Sequence, residues 1–105
     1  IHVCDLAHAH SLAVKKLETA PGLVTYNLGT GTGYSVLQIV HAFEAASGRK
    51  VPYEITARRS GDIAECFADA SLAKAEMGFE CKYGLKEMCE DSWRWQMNNP
   101  DGYGE

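Results

Sequence analysis

"VTYNLGTGTGYSVLQIV", residues 24–40, holds a possible strand, a glycine-rich turn and a helix start in one run. Val24–Leu28 is rich in β-branched and aromatic side chains, a composition that favours a pleated, half-buried strand. Gly29, Gly31 and Gly33 then make a loop. Ser35 is a good N-cap, and Gln38 three residues on completes a capping box. Gly48 is the natural stop for the helix that follows. Val36, Ile39, Val40 and Phe43 fall at helical spacing, which predicts a buried stripe. A strand that passes through a glycine turn into an amphipathic helix is a building unit of α/β proteins.

The flanking sequence reads the same way. Ile1–Cys4 predicts the end of a strand. Asp5 would cap a helix over Leu6–Leu17, with Leu6, Ala9, Ala13 and Leu17 on one face, and Pro21–Gly22 breaks it. Val51–Ala57 predicts another strand, with Pro52 favouring an edge or a start. "RRSGD" is a loop, and residues 63–68 read as extended. Ala70–Met77 predicts a short helix ended by Gly78. Leu85–Asn98 predicts the last helix, closed by Pro100. Strands alternate with helices, so the predicted fold class is α/β.

Bulk properties narrow the function. The chain has 105 residues, enough for one small domain. Hydrophobic residues make up 46% and charged residues 23%, which excludes a disordered chain. A net charge of −4 argues against nucleic acid or an anionic membrane as the main partner. No apolar run approaches the ~20 residues of a membrane span. Cys4, Cys66, Cys81 and Cys89 form no C-x-x-C pair and read as reduced thiols of a cytosolic protein. Opening on Ile-His-Val without Met, the chain reads as part of a longer protein.

Most local candidates for chemistry fail on geometry. His2, Cys4, His8 and His10 crowd the first ten residues. On a helix, however, His8 and His10 point roughly 200° apart, so four ligands cannot converge tetrahedrally on zinc. No metal site is expected. "LGTGTGYS" follows a strand and precedes a helix, as a phosphate-binding loop does. The dinucleotide fingerprint needs its third glycine where Tyr34 stands, so the loop reads as a tight turn. No tyrosine has a lysine four residues later, and His41 reads as a surface or packed histidine. Met77, Met88, Trp93 and Trp95 read as core or interface. "ARRSGD", residues 57–62, stands apart. A guanidinium fork suits phosphate oxygens, Gly61 admits close approach of a ligand, and Asp62 can accept from a sugar diol. From these residues alone, a solvated surface turn and an anion-binding loop both remain open.

Five stretches taken in order change that balance: "IHVCDLAHAH", "YNLGTGTGYSVLQIV", "ARRSGD", "ECFADASLAKAEMGF" and "GLKEMCEDSWRWQ". Together they resemble the C-terminal part of the UDP-glucose 4-epimerases, extended short-chain dehydrogenase/reductases, and look closer to the animal than to the bacterial members. The resemblance covers essentially all of residues 1–105. It implies an incomplete unit: the C-terminal UDP-sugar-binding portion of an extended Rossmann-type reductase, with the "VTYNL" strand joining the edge of a parallel sheet in a missing N-terminal part. It implies NAD as cofactor, bound by that missing part together with the Tyr/Lys/Ser chemistry, so no catalytic or cofactor-binding residue is expected in this chain. The implied reaction interconverts UDP-glucose and UDP-galactose through a 4-keto intermediate, in galactose metabolism.

By the same resemblance, Arg59 matches an arginine that contacts the diphosphate and Asp62 an aspartate that contacts the ribose. Ser60 stands where many members have Glu. Cys66 matches a position that is small or Tyr among members. A small residue there leaves room for an N-acetyl group, implying that UDP-GlcNAc and UDP-GalNAc are also interconverted. The implied partners are a UDP-hexose substrate and a second copy of the full-length protein. The alternatives are another nucleotide-sugar dehydratase or decarboxylase of the superfamily, or a non-catalytic nucleotide-binding α/β module.

Overall fold

A computed structural model of the chain describes residues 1–104; helix accounts for 48% of the protein, and no strand forms among the described residues. The four helices are α1 (Val3–Thr19), α2 (Val36–Ser47), α3 (Ser71–Met77) and α4 (Leu85–Asn98). This overturns the predicted α/β class. The segments 1–4, 24–28 and 51–57 contain no ladder, and α1 begins within the first of them. β-branched and aromatic side chains report only how well a residue fits a pleated surface. A strand also needs a second segment to take its N–H and C=O groups. Among the described residues no such pairing forms, so the high β-propensity of "VTYNL" has nothing to act on.

The chain divides into two compact units. The first comprises residues 1–33 and 67–84. Its helix α1 starts one turn earlier than expected, because His2 rather than Asp5 caps it: His2 Nδ1 accepts from the Cys4 N–H at 3.1 Å. Asp5 is instead buried, at 2% exposure. Its carboxylate accepts from the backbone N–H of Lys82 and of Tyr83, each at 3.1 Å, tying the segment after α3 to α1. The inward face of α1 is therefore rotated by about one residue from the expected one. Asp5 and Ala9 are buried, whereas Leu6 and Leu17 are exposed.

Ala9 packs with Ala73 of α3 and with Phe79, the core of this unit, and Leu12, Tyr26, Leu28 and Met77 close around it. Two facing alanines allow close approach of the helices. Phe79 supplies the bulk, its burial contributing about 1.5–3 kcal/mol. Gly78, in the left-handed region at φ 66°, stops α3 and turns the chain so that Phe79 enters that core.

The second unit comprises residues 34–66 and 85–105. Here α2 packs on α4, and the local signals hold. Ser35 Oγ accepts from the Gln38 N–H while Gln38 Oε1 accepts from the Ser35 N–H, and Gly48 stops the helix at φ 65°. Leu85–Asn98 is helical over the predicted bounds. The α2 stripe exists as a face but is not buried. Val36 is 77% exposed, and Val36, Ile39, Val40 and Phe43 line an open groove of about 370 Å³ with Val51 and Trp93. Glu44 fastens the exit of α2, its carboxylate accepting from the Val51 N–H at 3.1 Å and from Lys50 Nζ at 3.2 Å. Arg49 stacks over the Trp93 ring at 5.2 Å. Among the described residues, no helix is long and apolar enough to cross a membrane.

Candidate functional site

Residues 58–62 form a small closed loop in the second unit. The Asp62 N–H donates to the Arg59 carbonyl at 3.3 Å, which makes Arg59–Asp62 a β-turn. Gly61 occupies its third position at φ 86°, where a type II turn needs positive φ and a residue with Cβ is strained. The turn folds Asp62 back onto Arg59. Asp62 Oδ2 accepts from the Arg59 N–H at 3.2 Å and from Arg59 Nε at 3.3 Å, and Oδ1 accepts from Nη2 at 3.2 Å. Arg58 reaches round the other side, its Nη2 donating to the Asp62 carbonyl at 3.1 Å.

The two residues singled out in the sequence, Arg59 and Asp62, are therefore one hydrogen-bonded pair. Both are accessible, with side-chain exposures of 86% and 38%. An ion pair this wet contributes little to stability. It does preorganise a cation beside an acceptor. The fork is held on its Nε–Nη2 edge, which leaves Nη1 for an anion, while Asp62 Oδ1, which accepts one bond where Oδ2 accepts two, keeps a lone pair for a hydroxyl donor. A diphosphate joined to a vicinal diol presents those two complementary groups. Cys66 is exposed, with a free thiol, and takes no part in this hydrogen-bonded set. Arg58 was visible in the sequence as half of an Arg doublet, but its bond to the Asp62 carbonyl is a property of the folded loop.

The other clusters are structural in character. In the first unit, Tyr26 donates to Glu76 Oε2 at 2.5 Å and Lys16 Nζ lies 2.8 Å from the same oxygen. The Lys16 bond, then that from Tyr26, holds the Glu76 carboxyl below its usual range. Desolvation, then the Glu76 contact, pushes the Tyr26 phenol up, the wrong direction for a tyrosine base. The glycine loop does not fit a dinucleotide such as NAD. A Cβ on Gly29 would stand 2.9 Å from Ala68 Cβ, so this glycine serves close packing of two backbones. The shallow depression beside it, about 380 Å³, is rimmed by Lys74 already paired with Glu80 at 2.5 Å.

No family model matches the chain. Its similarity to individual proteins is nevertheless high. It is 60% identical over 104 residues to mouse (Mus musculus) UDP-glucose 4-epimerase, spanning 99% of this chain and 30% of that protein. It is 59% identical over 103 residues to the UDP-glucose 4-epimerase of Bacillus subtilis, spanning 98% of this chain and 30% of that one. The two values do not separate animal from bacterial relatives. A solved UDP-glucose 4-epimerase from Bifidobacterium longum, in complex with NAD+ and UDP, superposes with a TM-score of 0.89 at 46% identity, over 98% of this chain and 30% of that structure. The chain thus spans about a third of the length of these relatives and resembles the C-terminal part of UDP-glucose 4-epimerase in sequence and structure.

Proposed function

We propose that this chain is the UDP-sugar-binding portion of a UDP-glucose 4-epimerase, and that its task is to grip the nucleotide end of the substrate. The observation that carries this reading is the Arg59–Asp62 pair, held by a glycine turn with Arg59 Nη1 and one lone pair of Asp62 Oδ1 left for a ligand. Arg59 would neutralise the diphosphate and Asp62 would accept from the ribose hydroxyls. NAD would be held by sequence outside these residues, and that part would supply the hydride chemistry that interconverts UDP-glucose and UDP-galactose. The chain by itself would be inactive. A homodimeric, cytosolic full-length enzyme completes the proposal.

Calorimetry with UDP on the natural protein, including its flanking sequence, tests the grip. Arg59→Ala is expected to weaken binding by about 1.5–3 kcal/mol, the usual worth of a charge-assisted contact. That corresponds to roughly a ten- to hundredfold rise in Kd. An unchanged Kd would reduce the loop to a surface turn.

A further inference from the structure

The loop that holds Arg59 and Asp62 contains a third charged side chain that the proposed grip does not use. The Arg58 guanidinium bonds the main chain of Asp62, whereas that of Arg59 bonds its carboxylate. Arg58 Nη2 donates to the Asp62 main-chain carbonyl at 3.1 Å, spanning four residues across the mouth of the turn. The turn's own closing bond, from the Asp62 N–H to the Arg59 carbonyl, is long at 3.3 Å. Asp62 is thus held at both main-chain groups, by Arg58 on its C=O and by Arg59 on its N–H. With the backbone fixed on both sides, the carboxylate has little freedom except towards the Arg59 fork. Gly61 makes this fixation necessary, because a glycine with open space around it gives the turn no stiffness of its own.

We infer that Arg58 is a positioning residue for nucleotide binding: it clamps the Asp62 carbonyl so that the Asp62 carboxylate is already aimed when the nucleoside arrives. This rests on the proposed UDP-binding role of Arg59 and Asp62. Arg58 itself does not touch the diphosphate. A guanidinium there adds one hydrogen bond, which a lysine can also donate, so charge and a single N–H suffice.

The test is a double-substitution cycle on the natural protein, read by UDP calorimetry with the unfolding midpoint as a control on the fold. Arg58→Ala is expected to raise the Kd for UDP by about three- to tenfold, the worth of one ordinary hydrogen bond. The same change in an Asp62→Ala background should cost nothing further, and Arg58→Lys should restore most of the wild-type affinity. A loss that persists in the Asp62→Ala background would mean that Arg58 meets the phosphates directly, which overturns the inference. A wild-type Kd for Arg58→Ala would overturn it too. If Arg59→Ala and Asp62→Ala both bind UDP normally, it is the underlying grip that fails, a result separable from either outcome at Arg58.

Discussion

Asp5 shows how one side chain can take a role that its neighbours in sequence do not announce. A carboxylate near a helix start ordinarily caps that helix. Here it accepts instead from backbone N–H groups 77 and 78 residues away, and His2 does the capping. Nothing within a helical turn of Asp5 encodes that choice, so the sequence alone could not reveal it. Asp5→Ala would strand two inward-facing donors. It is expected to destabilise the fold by about 2–4 kcal/mol in chemical denaturation, with Asp5→Asn costing less because one acceptor oxygen survives. Equal losses for the two variants would count against the hydrogen-bond account. Cys66 carries a different prediction. If its side chain leaves room for an N-acetyl group, Cys66→Tyr in the full-length enzyme should abolish turnover of UDP-GlcNAc and spare UDP-glucose, as coupled epimerase assays would read. N-acetyl turnover that survives the substitution would remove Cys66 from the sugar pocket.

Helix α2 shows what local signals can specify. Ser35, Gln38 and Gly48 set both its ends, because caps are made between residues at most four apart. Ser35→Ala should therefore cost about 1 kcal/mol in thermal or urea unfolding. The exit of α2 adds a pH dependence. The bond from the Val51 N–H, then that from Lys50, holds the Glu44 carboxyl below its ordinary value of 4.5. The unfolded chain thus takes up a proton here at higher pH than the folded one. The stabilisation is present above pH 4.5 and is lost as pH falls through the folded value. Glu44→Gln keeps an acceptor for Val51 but cannot titrate, so its melting temperature should fall less steeply in acid than that of the wild type. The RRSGD turn was legible for the same local reason as α2. Gly61 and the three-residue spacing of Arg59 and Asp62 are enough to bring the charges together. The lack of strands among the described residues was not legible, because pairing is decided by whatever segment lies alongside, and high β-propensity in "VTYNL" says nothing of that.

The protein exposes 8291 Å². A self-contained monomer of 11.5 kDa is expected to expose only about 5,800 Å². Large apolar side chains contribute to that surface. Leu23 is 96% and Ile55 84% exposed, and Val3, Val14, Leu17 and Val36 are exposed as well. Among the described residues the fully buried apolar side chains are Ala9, Ala73 and Phe79 in the first unit and Cys89 in the second, too little burial to offset the chain entropy of a hundred residues. The related epimerases are about three times longer, and a longer protein has material to cover these faces. Residues 1–105 produced alone should therefore bind a hydrophobic dye strongly and self-associate with rising concentration in sedimentation experiments. Leu23→Lys separates the two settings. In the isolated chain it should leave stability unchanged and lower dye binding, since Leu23 meets almost only water. In the natural protein the same change should cost about 1–3 kcal/mol if that face is covered, because a lysine would then have to be buried or the cover displaced. A neutral effect in both settings would show that Leu23 stays in water throughout. A monomeric, dye-silent chain that unfolds cooperatively would show that the four buried apolar side chains, with the Asp5 clamp and the α2 caps, suffice to hold these residues folded.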